Sequence, residues 1–545
     1  MDTESSTSTK RTLPRNQACY PCRHRKMRCD GQRPVCGQCR RSAREEDCEY
    51  TDNYSRARAE VLEEDISRIQ FRIHQLEHPQ EAKTDVMLLD PYKQVTHFRM
   101  PGLHQVLDAS TSSAMLLHPP SRVPTPDAWW TAEELPPHLA KNLLDTFMTS
   151  AASFGFFLDP EQVYNASMLS VPINHHSRPT PALTSAIYLA AISISPSPSL
   201  KMHEAVFRTR ALSSVSNALA GLHPKRVLHA LQAEVILAWY FYGVGKLLEG
   251  LYHTATAVSL GVTSDIYSMR NGHVRPGAML LADSDADGEE HVNACWEIVV
   301  LDRAWSVVMN TLPNWTNPIE TPWPGTKVSE MTDIVQTFLA VGDHQPPKSS
   351  KELLAKAAVL WEAANHLVTR SEWKPGSPHN AEAAQAFYDQ FSAIDKRIEE
   401  VCSPESPSGQ SEPSPTDQQI DLVGRSMAHA AEIQLHRPFA QDSSLTQAHS
   451  QQRFLDAARA ILHLARTHPA IVGSPQTFIS PILAPIWAIA CRVILHELQQ
   501  NPTDHELRWE FDSSFAAMRV YMSNSLFMQY HLQKIQDEYD VASSA

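Results

Sequence analysis

Glycine, strand-like alternation and long apolar runs are all scarce in this chain. Only 18 of its 545 residues are glycine, and few segments alternate apolar and polar side chains as half-buried strands do. The most apolar run, Val235 to Gly245, has eleven residues, whereas a helix needs about 20 to cross a bilayer. These scarcities predict a mainly α protein with no membrane partner.

Signatures of catalysis are missing as well. The acidic stretch 283–290 begins like a calcium loop, but Ala294 stands where a bidentate Glu belongs. Each His-Glu pair lacks a second His one helical turn on, no nucleophile elbow occurs, and residues 243–246 lack the rest of a phosphate loop. The sequence therefore predicts no enzyme and no catalytic residue.

Cysteine is sparse along most of the chain and dense in one place. Three of the nine cysteines occur singly, at Cys295, Cys402 and Cys491. A segment as short as the dense one cannot bury enough apolar surface to offset its chain entropy. The N-terminus has no apolar signal-peptide core, so we expect a reducing compartment, in which thiolates bind zinc rather than form disulfides. The predicted metal ligands are Cys19, Cys22, Cys29, Cys36, Cys39 and Cys48.

The spacing divides these six cysteines into two similar halves. Cys-x2-Cys-x6-Cys at positions 19, 22 and 29 is repeated as Cys-x2-Cys-x8-Cys at 36, 39 and 48. Together with the intervening Arg23-x-x-Lys26-x-Arg28, the stretch resembles the fungal binuclear zinc cluster, a DNA-binding domain. The resemblance implies two zinc ions per chain, with Cys19 and Cys36 as the bridging ligands. A disulfide knot or a single zinc site is the alternative.

Positive charge is concentrated around the cysteines. Between Lys10 and Arg44 there are eleven Lys or Arg and one acid, Asp30, whereas the whole chain has 47 bases against 61 acids and a net charge of −14. A basic segment on an acidic chain is typical of a nucleic-acid binder, because phosphate contacts supply affinity. For each single arginine, a solvated or nuclear-import role is the alternative.

One lysine is the candidate base reader. A short helix over residues 23–28 would place Lys26 at base edges in the major groove, where lysine donates to the O6 and N7 atoms of guanine. In the family that the segment resembles, the lysine at this position reads a CGG triplet. The other candidate DNA contacts, mainly to phosphate, are Arg23, Arg25, Arg28, Arg40 and Arg41.

A heptad pattern follows. Over residues 59–78 apolar side chains recur at alternating intervals of three and four, with β-branched residues at two of the three a positions. This pattern favours a parallel coiled-coil dimer. The alternative is one amphipathic helix packed on its own chain. The predicted dimerisation residues are Leu62, Ile66, Ile69, Ile73 and Leu76.

The remaining chain reads as a large all-helical regulatory domain. Long helical patterns include 225–260 and 504–535, and a Ser/Pro-rich segment is typical of a disordered insert. Parts of the region, at 183–191, 295–303 and 431–438, resemble the fungal-specific transcription factor domain, which implies regulation and partner contacts. The predicted order is a disordered tail at 1–14, the zinc cluster at 15–52, a linker at 53–58, the coiled coil at 59–78, an irregular linker at 79–130, and the helical domain at 131–540 with its insert at 403–417.

The combined prediction is a nuclear, zinc-dependent, sequence-specific DNA-binding regulator of RNA polymerase II transcription that acts as a homodimer. Its expected partners are double-stranded DNA, a second copy of the chain and transcriptional coactivators. The alternative from another class is a metabolite-sensing or enzymatic helical domain with an appended zinc cluster. A protein-interaction adaptor is a third interpretation.

Overall fold

The computed structural model describes two units of the chain. The described residues are 18–42, 48 and 50 in an N-terminal unit, and 129–267, 285–326, 333–340, 345–371, 381–403, 414–439, 448–472, 478–523 and 525–544 in a C-terminal unit. The predicted tail, the coiled coil at 59–78 and both linkers up to residue 128 lie outside them. So does most of the predicted insert.

The described part of the N-terminal unit contains two helices of five residues each, α1 (Tyr20–His24) and α2 (Gly37–Arg41). Pro21 stands in the first turn of α1, where its missing N–H costs nothing. The predicted helix over residues 23–28 is therefore wrong in its bounds. Arg25 is the C-cap of α1, and Lys26 adopts a left-handed backbone with φ of 53°.

The C-terminal unit consists of helices joined by turns, and no strand occurs among its described residues. The mainly α prediction is confirmed. The helices are α3 (Pro137–Met148), α4 (Pro160–Ser167), α5 (Pro181–Ile194), α6 (Pro198–Lys201), α7 (Glu204–Ser216), α8 (Arg226–Gly243), α9 (Leu247–Thr263), α10 (Asp285–Met309), α11 (Ile334–Leu339), α12 (Ser350–Arg370), α13 (Ala381–Cys402), α14 (Pro415–His436), α15 (Ala448–Thr467), α16 (Pro469–Val472), α17 (Leu483–Gln500), α18 (His505–Arg519) and α19 (Leu526–Ser544).

The core of the C-terminal unit is built around helix α8 and around the contact between α12 and α14. Every residue of α8 from Val227 to Gly243 is buried, so its apolar run is a core element. Helix α12 packs along α14, and Gly424 makes this contact close. A Cβ added there would lie 3.0 Å from Cγ of Leu353. The largest fully buried side chains include Trp296, Trp305, Trp361 and Trp487. Among the described residues, no helix has both the length and the apolarity needed to cross a membrane.

Two predicted long helices are interrupted. The pattern at 225–260 forms α8 and α9 because Gly245 takes φ of 77° between them, a conformation that ends a helix. The pattern at 504–535 forms α18 and α19. There Ser525 caps the second helix: its hydroxyl accepts from Met528 N–H at 3.2 Å and donates to the carbonyl oxygen of Gly243 at 2.7 Å.

The start of the predicted helical domain and the end of its predicted insert also differ in detail. A 3-10 turn at Trp129–Thr131 packs on His203, and Arg210 donates to the carbonyl oxygen of Trp130 at 2.9 Å. The unit thus begins before residue 131. Within the predicted insert, Ser414 is the N-cap of α14, with its hydroxyl accepting from Asp417 N–H at 3.1 Å.

Asp302 has a structural position within this unit. Its carboxylate accepts hydrogen bonds from the backbone N–H groups of Asn314 and Trp315 at 3.1 and 2.8 Å, and so holds the turn after α10. The neighbouring Arg303 pairs with Glu362 at 2.6 Å. Asp302 therefore stabilises the turn after α10, and Arg303 links α10 to α12.

Candidate metal centre and nucleic-acid interface

Each short helix of the N-terminal unit presents a pair of cysteines. Cys19 is the N-cap of α1 and Cys22 lies in its first turn, while Cys36 and Cys39 stand in the same positions of α2. In α2 the Cys36 sulfur accepts a hydrogen bond from Cys39 N–H at 3.3 Å. The Cys-x2-Cys spacing produces this arrangement because the first turn of a helix brings its third residue back to the N-cap.

The sulfur atoms of the two halves meet. The Sγ of Cys19 lies 3.6 Å from that of Cys36, 3.7 Å from that of Cys39 and 3.8 Å from that of Cys29. The Sγ of Cys22 lies 3.7 Å from that of Cys36. Thiolates bound tetrahedrally to one zinc at about 2.3 Å are about 3.8 Å apart, whereas a disulfide bond is about 2.05 Å long. The donor set therefore fits zinc and not disulfides.

Cys48, the sixth cysteine, also reaches this centre. The backbone N–H of Cys36 donates to the Cys48 sulfur at 3.2 Å. An N–H group that points at a cysteine sulfur stabilises its thiolate form. All six predicted ligands are thus gathered in one small region.

These sulfurs are the core of the N-terminal unit. Cys19, Cys22 and Cys36 are fully buried, and Cys29 and Cys39 are nearly so. Burial raises the pKa of the Cys19 and Cys22 thiols far above the ordinary value. Zinc binds thiolates, so a bound cation would keep the enclosed Cys19 and Cys22 sulfurs deprotonated, and metal binding is coupled to folding of this unit.

Asp30 and Tyr50 complete the scaffold. Both carboxylate oxygens of Asp30 accept from Gly37 N–H at 3.0 Å, and a Cβ at Gly37 would lie only 2.4 Å from Oδ2 of Asp30. The Tyr50 hydroxyl donates to the carbonyl oxygen of Gln32 at 2.8 Å, and Arg33 lies over the Tyr50 ring at 4.8 Å. No sequence signal identifies Tyr50, which lies beyond Cys48, the last cysteine of the cluster.

Comparison with known protein families identifies this segment. Residues 17–57 match the fungal Zn(2)-Cys(6) binuclear cluster domain. The binuclear cluster binds two zinc ions, which confirms the predicted cofactor, and it supports DNA binding and transcription regulation. The match extends five residues beyond the predicted boundary at 52.

One relative has a name that bears on function. The chain is 27% identical over 312 residues to the Notoamide biosynthesis cluster transcriptional coactivator notQ' of Aspergillus versicolor. The aligned region covers 55% of this chain and 54% of that protein, so the chain spans about half the length of this relative. No solved structure matches the chain.

The basic side chains lie on the outside of the binuclear cluster. Arg23, Arg25, Lys26 and Arg28 are all exposed on or just after α1. Arg40 and Arg41 are exposed in the last turn of α2, where Arg41 donates to Gln38 Oε1 at 3.1 Å. The metal-held core thus carries cations at the C-terminal ends of both helices.

The predicted dimerisation residues, at 62, 66, 69, 73 and 76, lie outside the described residues. Dimer formation through residues 59–78 stays a prediction.

Proposed function

We propose that this chain is a zinc-dependent, sequence-specific regulator of RNA polymerase II transcription that acts in the nucleus as a homodimer. The observation that carries the proposal is the binuclear cluster at 17–57, whose buried sulfurs hold a scaffold with exposed cations. The relative named as a transcriptional coactivator supports regulation of transcription. The helical C-terminal unit is proposed to be a fungal-specific transcription factor domain.

Zinc ligation is proposed to follow the two halves of the cluster. Cys19 and Cys36 would bridge the two ions, because the sulfur of Cys19 lies within 3.8 Å of sulfurs from both halves. Cys22 and Cys29 would complete one tetrahedron. Cys39 and Cys48 would complete the other. Two tetrahedral ions share six thiolates only when two of the thiolates bridge.

DNA recognition is proposed to divide between one base reader and several phosphate contacts. Lys26 follows the C-cap of α1, and its left-handed backbone turns the chain sharply there. From this position Lys26 is proposed to contact the guanine edges of a CGG-like half-site in the major groove. Arg23, Arg25, Arg28, Arg40 and Arg41 would contact phosphate, which positions the protein without reading sequence.

A pair of matched variants tests this division. Lys26→Ala is expected to retain two zinc ions in the cluster and to lose about 1–3 kcal/mol of affinity for a CGG-containing site, with little change for scrambled DNA. Arg41→Ala is expected to weaken binding to both DNAs equally and to lower the salt slope by about one. Fluorescence anisotropy titrations at several salt concentrations measure both effects. If Lys26→Ala weakens both DNAs by the same factor, Lys26 does not read bases.

A further inference from the structure

A second group of metal-binding side chains lies in the C-terminal unit. Cys402 is the last residue of α13, and His429 and Glu432 lie three residues apart on α14. One ligand atom from each of the three residues lies within 4.8 Å of the others. The group does not overlap the binuclear cluster at 17–57.

Two side chains converge on one ring nitrogen of this group. The Sγ of Cys402 lies 3.8 Å from Nδ1 of His429, and Oε2 of Glu432 lies 3.4 Å from the same nitrogen. A neutral or charged imidazole carries at most one proton on Nδ1, so it can donate one full hydrogen bond there. At most one of these two contacts can therefore be a hydrogen bond donated by Nδ1.

The same distances suit a zinc ion. Sulfur and nitrogen ligands of one tetrahedral zinc are about 3.6 Å apart, and nitrogen and oxygen ligands about 3.4 Å apart, for bonds of about 2.3 and 2.0–2.1 Å. The distance from Cys402 Sγ to His429 Nδ1 and the distance from His429 Nδ1 to Glu432 Oε2 are within about 0.2 Å of these values. The site is also sheltered, because the side chains of His429 and Glu432 are only 20% and 10% exposed.

Outer contacts fix the carboxylate. Oε1 of Glu432 accepts from Nε of Arg453 at 2.6 Å, which leaves Oε2 directed at His429. Arg453 in turn donates to Asp395 at 3.0 Å and to Glu399, and Asp395 lies 3.0 Å from Nε2 of His436. Hydrogen bonds of this kind orient metal ligands in proteins.

We propose that Cys402, His429 and Glu432 bind one zinc ion, in addition to the two ions of the binuclear cluster. A mixed sulfur, nitrogen and oxygen donor set is typical of zinc. Three protein ligands leave a fourth position for water. The ion would fasten the C-terminal end of α13 to the middle of α14, on the two sides of the Ser/Pro-rich segment.

Metal analysis of the full chain tests the proposal. The reduced protein is equilibrated with a small excess of zinc, desalted, and analysed for zinc per chain by mass spectrometry. We expect three zinc ions in the unmodified protein and one fewer in both Cys402→Ser and His429→Gln. His463→Gln is the matched control. His463 is exposed on α15, and among the described residues its side chain hydrogen-bonds only to Thr467, one helical turn later. It should keep the full count.

The test compares the zinc count of each variant with that of the unmodified protein, so incomplete loading of the binuclear cluster with zinc does not affect the result. An unchanged zinc count in both Cys402→Ser and His429→Gln overturns the proposal and marks any third ion as adventitious. Alkylation provides a second readout that needs no variant. Iodoacetamide should modify Cys402 about tenfold more slowly with zinc than after chelation, since a metal-bound thiolate is protected. Equal rates also overturn the proposal.

Discussion

His229 is a neutral side chain held inside the helical unit. It is 5% exposed, its Nδ1 accepts from Thr180 N–H at 3.3 Å, and the ring of His223 lies 5.0 Å away. Burial, with the nearby charges of His223 and Lys225, lowers the pKa of His229 to about 3. Between that value and the ordinary pKa of about 6.5, the unfolded chain binds more protons than the folded one. Stability therefore falls as pH decreases through this window.

A conservative substitution isolates this contribution. From pH 7 to pH 5 the free energy of unfolding should decrease by about 2 kcal/mol because of His229 alone. His229→Gln keeps an acceptor for Thr180 and cannot be protonated, so its decrease should be smaller by that amount. Urea unfolding at both pH values measures the difference, with His463→Gln as the exposed control. Equal decreases in the unmodified protein and His229→Gln would contradict the assigned pKa.

A functional residue can be predicted from the sequence when its role requires a recognisable spacing to other residues. The six clustered cysteines were predictable because zinc needs thiolates at short intervals. Tyr50 was not, since its hydroxyl bonds to Gln32, eighteen positions earlier, only once the chain has folded. Cys402 stands alone in the sequence, so its spacing carries no metal signal. Its neighbours His429 and Glu432 follow a His-x-x-Glu pattern, but α13 and α14 must pack before the three residues meet.

At the scale of elements, helices were predictable from apolar periodicity, and their ends were not. The first helix spans Tyr20–His24 and ends before residue 28, the predicted end, because Lys26 adopts a left-handed conformation. The break between α8 and α9 depends on the conformation of Gly245, although apolar periodicity continues across it. Periodicity reports which face is buried. It does not report where the backbone leaves the helix.

The heptads at 59–78 give a prediction for one element. Ile69→Asp places a charge at a d position of the predicted coiled coil and should shift the chain from dimer to monomer. Ser67→Asp adds the same charge outside the a and d positions and should leave the dimer intact. Sedimentation equilibrium of the full chain measures both. A dimeric Ile69→Asp variant would show that residues 59–78 do not hold the two copies together.

The whole molecule joins a unit with a sulfur core to a unit with an apolar core. The N-terminal unit gathers its buried residues around cysteines, whereas the C-terminal unit buries a continuous set of aliphatic and aromatic side chains. The two cores have different causes of stability. Zinc supplies folding energy to the first, and removal of apolar surface from water supplies it to the second.

Chelation should therefore separate the two units functionally. Removing zinc is expected to abolish DNA binding while the far-UV circular dichroism of the full chain stays nearly unchanged, because α1 and α2 contribute only five residues each. Adding zinc back should restore DNA binding. Collapse of the helical signal on chelation would show that the C-terminal unit also depends on metal for its fold.

The tryptophan side chains allow the two units to be followed by separate spectroscopic signals. All eleven tryptophans lie between residues 129 and 509, and none lies in the segment that binds the two zinc ions. Intrinsic emission on excitation near 295 nm therefore reports on the C-terminal unit alone. Cobalt substituted for zinc absorbs through its bonds to sulfur. In Cys402→Ser, which lacks the sulfur of the proposed third site, cobalt absorption therefore reports on the N-terminal unit and indole emission reports on the C-terminal unit.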